Sequence, residues 1–471
     1  MNSLKDFQKL ELATALLEQK RRRIKEYPFL LTEILYPKYR FKWFHQEWFD
    51  SYISEDEENL CLGPREFAKT TVRGVVGSIW DLIQNPNIQI GQVSDTGPQA
   101  KYFISETKLH LEKNKLLTIL YPHLLPGDIW RENELKIIGA TEIKKGSSIM
   151  AFGYGGGTGA DFDKIIADDM VDFENSRIKT RRDRLEDWVG TSLLPMLRSG
   201  GKIRWNGTRY HQDDYYGNLL KKGIKTNVKS HKAILDNGES MWPELWPIKK
   251  LLDKKERNGS IRFNAQYQND TKLMAAGKIF HREWFKYYYK TSQGDYRDSD
   301  GNRFSYKDLA IYQTCDLALS QSESAHYFVI LTFGISPLGN IYIIDVMRGR
   351  FSWNEQKIQV KQNHYKWKDA GIRWTGIESV QFQKALIEEA NAFVDVSVRP
   401  LMAQKDKATR AMPMSAKYET GKVYHNNAMP ILKDFEDELC MFPEGEYDDM
   451  VDTVAYIPNC STRERTEIRV R

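Results

Sequence analysis

Lys69 and Thr70 close the stretch Gly63-Pro64-Arg65-Glu66-Phe67-Ala68-Lys69-Thr70. It reads G-x-x-x-x-A-K-T, a phosphate loop with Ala68 where the usual pattern has its second glycine. An ammonium and a hydroxyl in this order suit a nucleoside triphosphate. Backbone N–H groups wrap the phosphates, Lys69 reaches the β/γ-phosphates, and the Thr70 hydroxyl holds Mg²⁺. Gly63, Arg65, Ala68 and Thr71 complete the expected nucleotide cradle. Roughly 100 residues on, the apolar run Ile165-Ile166-Ala167 ends in Asp168 and Asp169. One carboxylate there serves the Mg²⁺ shell and the next polarises the attacking water. We assign Asp168 to the metal and Asp169 to the water, with an exchange of roles left open. Ile203-Arg204-Trp205-Asn206-Gly207-Thr208 ends a further strand, and Thr208 is placed to sense the γ-phosphate.

A second group of acids lies in the C-terminal third. Asp316 ends the apolar run from Ala310, and Glu378 ends Trp374-Thr375-Gly376-Ile377. Asp448, Asp449 and Asp452 open a helical pattern. Acids at two strand ends and on a nearby helix have the layout of a ribonuclease-H-like nuclease, where two divalent ions clamp an in-line phosphoryl displacement. Helical spacing puts Asp448 and Asp452 on one face. Asp448 is the expected third ligand, with Asp449 and Asp452 as alternatives. A third candidate is Phe41-Lys42-Trp43-Phe44-His45-Gln46-Glu47-Trp48-Phe49. It is either a packed amphipathic helix or an adenine pocket whose rings stack on the base while the Gln46 amide pairs with its edge.

The elements that must position these groups follow from periodicity. The apolar residues 59–62 predict a short buried strand before the loop, and Val72, Val75, Val76, Ile79, Trp80, Leu82 and Ile83 recur at helical spacing after it. Strands are expected at 88–94, 147–152 and 201–209, with a helix over 101–117 between the first two. The glycine-rich run 153–159 leads into the acidic strand. After a polar, aromatic stretch over 260–300 the pattern restarts. Residues 310–316, 327–333 and 341–346 predict an antiparallel meander, 356–368 a helix, and 374–378 a fourth strand.

Composition sets the frame. At 471 residues, two or three domains are expected. No apolar run approaches the length of a membrane span. The opening Met1-Asn2-Ser3-Leu4-Lys5-Asp6 has no apolar signal core, and the four scattered cysteines suggest neither a zinc site nor a disulfide framework. A reducing, cytosolic setting is expected. The net charge of +5 permits a nucleic-acid partner without arguing for one.

Taken together, these residues resemble the large terminase subunit of tailed bacteriophages. The motifs that carry the likeness are Phe44-His45-Gln46, the loop from Gly63 to Thr70, Ile165-Ile166-Ala167-Asp168-Asp169, Asn206-Gly207-Thr208-Arg209, Arg282-Glu283-Trp284-Phe285, Asp316, Ile377-Glu378 and Tyr447-Asp448-Asp449 to Asp452. The basic run from Lys405 to Tyr424, which includes Lys407 and Arg410, also looks like that family's segment between the second and third nuclease acids. The resemblance implies an α/β protein. A P-loop ATPase domain of the additional-strand (ASCE) type, with a mainly parallel sheet, would span 1–260. A connector would span 261–300, and an RNase H-like endonuclease domain with a mixed sheet would span 301–471. It implies ATP and Mg²⁺, with Mn²⁺ accepted at the nuclease site. It also implies double-stranded DNA, a portal protein and a small terminase subunit as partners, and a pentameric ring on the capsid built from a chain that can be monomeric in solution. The setting would be the host-cell cytoplasm, transiently at the procapsid portal. Three departures stand out. Relatives often carry an arginine where Thr158 stands, so an arginine finger would come from Arg177 or Arg182, or from Arg65 in the loop, or be dispensed with. Asp169 is shorter than the glutamate many relatives carry, so the water would sit differently. His326 stands where relatives often have an aspartate. The rival readings are a helicase or repair ATPase with a nuclease tail, and a non-catalytic DNA-binding scaffold.

Overall fold

The computed structural model describes every residue except 1, 143–145, 158, 173–174, 177–178, 224–226, 273–277, 318–326, 379–395, 403–405, 444 and 461–471, with side chains from residue 11 onward. The chain forms two compact units. The first comprises Met1–Leu251 and Asn264–Thr271, the second Leu252–Phe263 and Lys272–Arg471.

The first unit is built on an eight-stranded sheet. Its strands are β1 (Glu58–Leu62), β2 (Ile90–Ser94), β3 (Pro126–Arg131), β4 (Glu134–Ile137), β5 (Ile149–Gly153), β6 (Phe162–Asp168), β7 (Leu197–Gly207) and β8 (Val228–Ser230), in the order β3-β4-β5-β2-β6-β7-β1-β8. All pairings from β5 to β8 are parallel, and only β4, antiparallel to both β3 and β5, runs against them. β7 therefore stands between the loop strand β1 and the acid strand β6, the additional-strand arrangement. Near-continuous apolar runs such as Ile165-Ile166-Ala167 suit strands covered on both faces, and β6 is buried from Lys164 to Asp168.

The second unit carries a nine-stranded mixed sheet. Its strands are β9 (Lys286–Lys290), β10 (Tyr296–Asp298), β11 (Arg303–Phe304), β12 (Ala310–Asp316), β13 (Phe328–Ile335), β14 (Ile341–Gly349), β15 (Ile372–Glu378), β16 (Val398–Leu401) and β17 (Val423–Asn426). β12, β13 and β14 form the expected antiparallel meander, and β15 adds parallel to β12. The central order β14-β13-β12-β15-β16 is that of a ribonuclease-H-like sheet. The stretch expected as a connector over 261–300 contains β9 and β10, which extend this sheet through β17. Tyr288, between the exposed Tyr287 and Tyr289, packs inward, fully buried against Tyr296, Phe304 and Tyr342.

Candidate active sites

β1 delivers the chain to Gly63 at the C-terminal edge of the first sheet. A Cβ at Gly63 would lie 2.9 Å from the Trp48 ring, so only glycine fits there. The loop then turns through Glu66 and Ala68, both left-handed, with φ of 67° and 60°. Alternation of hand along a loop turns successive N–H groups toward one concavity, which is how a nest binds an anion. Helical residues 69–84 follow, opening with a wide π-type turn at Thr71–Val76. Phe67 is buried between Trp242 and Trp246 and anchors the loop from below.

The aromatic run before the loop is a helix, Trp43–Ile53. Phe44, Trp48 and Phe49 are fully buried, so their rings belong to the core rather than to a base-stacking surface. Gln46 is exposed on this helix. His45 is the residue that reaches the loop. Its Nδ1 accepts from the Lys42 N–H at 2.9 Å, so its Nε2 carries the proton and donates to the Phe67 carbonyl at 3.1 Å. Burial pushes the His45 pKa down to about 3, so the clip is neutral. The sequence marked this histidine only as part of a motif.

Five of the expected residues converge at the ends of β1, β6 and β7. Lys69 Nζ donates to Asp169 Oδ1 at 3.1 Å and to Thr208 Oγ1 at 3.2 Å. Thr70 Oγ1 donates to Asp168 Oδ2 at 2.7 Å. Thr208 in turn reaches the Gly63 carbonyl at 3.2 Å. Asp169 turns left-handed, with φ 46°, and its N–H donates to the Asn206 carbonyl at 2.9 Å. Burial, then the neighbouring Asp169, pushes the Asp168 pKa up to about 7. Asp168 Oδ1 is buried with no hydrogen-bond partner. An orphaned carboxylate oxygen beside a threonine hydroxyl fits a hard divalent cation. Arg65 is exposed, and its N–H donates to the Gln266 carbonyl at 2.9 Å. Thr71 is half-buried.

Arg73 was not singled out from the sequence. It is fully buried one turn beyond Lys69 and donates to Asn206 Oδ1, Asn59 Oδ1 and, at 2.9 Å, the Trp48 carbonyl. All three acceptors are neutral. The Asn206 side chain works against burial and lowers the Asp168 pKa. The arginine-finger candidates fare differently. Arg182 ties back to the Ser176 carbonyl at 2.8 Å. Arg177 and Thr158 lie outside the described residues, as does His326.

In the second unit, Asp316 and Glu378 end adjacent parallel strands, one step past the Cys315↔Ile377 pair. The helix Asp449–Ala455 packs on β12, and Thr314 Oγ1 donates to the Thr453 carbonyl at 2.8 Å. Burial raises the Asp316 pKa well above the carboxylate range, and Asp452 and then Glu378 add to the shift. Asp452 is 2% exposed, and burial pushes it up to about 6. Asp452 is thus the helix acid whose charge raises Asp316 most. Asp448, the acid favoured from helical spacing, precedes the helix as its N-cap and is the more exposed. Asp449 is fully buried, and its Oδ2 accepts the Tyr327 N–H at 2.9 Å.

Two cations stand among these acids. Lys407 Nζ lies 2.7 Å from Asp448 Oδ1 and 2.5 Å from Asp452 Oδ2. Arg410 Nη2 donates to Asp452 Oδ1 at 2.8 Å. Burial works against the Lys407 ammonium, yet Asp452 and Asp448 hold its pKa above the ordinary value. Among the described residues no three acid, histidine or cysteine side chains close on one point. The donor set of buried carboxylates still has the chemistry of a hard divalent-cation site. Glu438 supports the helix that carries it. Its Oε1 accepts the Met450 and Val451 N–H groups at 2.6 and 3.3 Å.

No protein-family model matches the chain, and no curated protein matches it. Solved structures do. The large terminase of the thermophilic bacteriophage D6E aligns over 90% of this chain and 99% of its own, with a TM-score of 0.57 at 12% identity. The same protein in complex with ADP aligns with a TM-score of 0.54 at 10% identity, and in complex with ATP-gamma-S with 0.52 at 11%. Each covers 89% of this chain and 99% of that one. At this identity the likeness establishes the fold: this chain is built on the α/β architecture of a phage large terminase.

Proposed function

We propose that this chain is the large terminase subunit of a tailed bacteriophage, a packaging motor joined to a DNA endonuclease. One observation carries the reading. A single chain with this fold brings Lys69, Thr70, Asp168, Asp169 and Thr208 together on one sheet, and sets the buried Asp316 and the half-buried Glu378 at the ends of β12 and β15 on the other. ATP is the first substrate. The loop N–H groups and Lys69 bind its phosphates, Thr70 and Asp168 hold the accompanying Mg²⁺, and Asp169 orients the attacking water. Binding takes Lys69 from Asp169 to the phosphates, which frees the Asp169 carboxylate for the water. Thr208, bonded to both Lys69 and Gly63, reports the γ-phosphate to β7. Turnover moves double-stranded DNA into the capsid.

At the second site Asp316, Glu378 and the Asp448/Asp452 pair hold divalent cations, Mg²⁺ or Mn²⁺, which supply Lewis acidity when bound. The nuclease cuts concatemeric DNA. The assembly we propose is a ring, pentameric, on the capsid portal, with a small terminase subunit as partner and the host cytoplasm as its setting. The decisive experiment is paired. Lys69→Ala should lose ATP turnover by orders of magnitude while retaining Mn²⁺-dependent plasmid cleavage. Asp316→Asn should do the reverse. Procapsids bearing portal should stimulate the wild-type ATPase. Near-normal turnover in Lys69→Ala would sink the ATPase assignment, and absence of portal stimulation would favour a helicase or repair enzyme.

A further inference from the structure

We propose that Lys407 is a resident counterion of the carboxylate cluster, its ammonium bridging Asp448 and Asp452, and that a divalent cation must displace it to reach the same oxygens. The proposal rests on the nuclease reading above and concerns how that site is loaded. Both oxygens of Asp452 are engaged, Oδ2 by Lys407 at 2.5 Å and Oδ1 by Arg410 at 2.8 Å. Lys407 also holds Asp448 Oδ1 at 2.7 Å. A metal ligated at the usual oxygen distances would have to share these oxygens with an ammonium a few ångströms away, and two cations so close repel strongly in a buried site.

The geometry also decides which cation leaves. Arg410 is 11% exposed, and its guanidinium lies 4.6 Å from the centre of the Tyr456 ring. Largely buried over that ring, with Nη2 on Asp452, the guanidinium has little room to leave. The Lys407 side chain is 37% exposed and carries a point charge on a flexible stem. It opens the helix Lys407–Glu419, whose backbone is held by the Asp406 side chain, an acceptor for the Thr409 N–H at 3.0 Å. The ammonium can therefore swing into water without unwinding the helix. Arg410 stays and keeps Asp452 oriented.

The test is a Mn²⁺ titration of the full chain followed by electron paramagnetic resonance. Mn²⁺ bound by wild type and not by Asp316→Asn defines the cluster. Lys407→Met should bind that Mn²⁺ roughly tenfold more tightly, the scale of removing one competing charge-assisted contact. Lys407→Arg, which keeps the charge, should stay near wild type. Equal or weaker binding in Lys407→Met overturns the counterion role. If Asp316→Asn removes no bound Mn²⁺ at all, the metal reading of the cluster itself fails. A second measurement needs no variant. Amine-reactive labelling of wild type, read by mass spectrometry, should find Lys407 protected in chelator and labelled faster in Mn²⁺. Labelling that Mn²⁺ does not change also overturns the proposal.

Discussion

Ala68 sits at φ 60°, where a side chain crowds its own backbone and glycine does not. The nest geometry demands that conformation, which explains why the position is glycine in the common form of the motif. Ala68→Gly should therefore stabilise the chain by about 1 kcal/mol, the strain relieved exceeding the extra freedom glycine has when unfolded. Thermal denaturation checks this, and a lower midpoint for Ala68→Gly would show that the loop tolerates alanine without strain. Asp169, just past the end of β6, is left-handed too. Asparagine is as tolerant of that conformation as aspartate. Asp169→Asn should therefore keep the backbone turn and ATP binding but hydrolyse slowly, as single-turnover kinetics would reveal.

Much of the element order was legible because each chemical residue ends a recognisable apolar run. Ile165-Ile166-Ala167 before Asp168 and Ile377 before Glu378 are buried strands whose polar termini fall at one sheet edge. What escaped has physical reasons. The β3–β4 hairpin is largely half-exposed and polar, so it lacks an apolar signature. β9 and β10 are tyrosine-rich and read as an aromatic connector, although Tyr288 is core. Helical spacing marked Asp448, which is the N-cap of the helix that starts at Asp449, and could not show that burial makes Asp452 the helix acid whose charge raises Asp316 most. Lys407 and Arg73 were legible only as charges, because their partners lie far away in sequence. The same holds for Glu438, which caps the Asp449–Ala455 helix from a neighbouring helix. Glu438→Ala should leave two helix N–H groups without an acceptor and cost about 1–3 kcal/mol. DNA cleavage should fall while ATP turnover, on the other unit, stays unchanged. Loss of both activities together would indicate global unfolding instead.

Across the whole molecule the buried acids set a pH dependence. Asp168 and Glu438 are pushed up to about 7 and Asp452 to about 6, against ordinary values of 3.8 for aspartate and 4.5 for glutamate. A carboxyl raised on folding binds its proton more tightly in the native chain than in the unfolded one. Its contribution is complete below the unfolded value and is lost as pH rises through the folded value. These three groups therefore erode stability between about pH 4 and about pH 7. If the proposed metal sites are right, divalent cations bind the ionised forms of Asp168 and Asp452 and should restore it. Mg²⁺ should raise the melting temperature more at about pH 8 than at about pH 5. An equal gain at both pH values would show that these carboxyls do not carry the response.

Arg73 has a consequence for ionic strength. Its full charge lies in the core with three neutral acceptors and no carboxylate bonded to it, close behind Asp168 and the phosphate loop. Mobile ions screen exposed charges within about 10 Å at ordinary salt, but they cannot enter the interior to screen this one. Part of the attraction for a triphosphate is thus built into the protein beyond the reach of dissolved electrolyte. Contacts with a DNA backbone, made by surface cations, release counterions and weaken steeply as salt rises. Under the proposed function, raising KCl should therefore strip DNA from the protein well before it strips nucleotide, and a salt jump would release DNA while ATP stays bound.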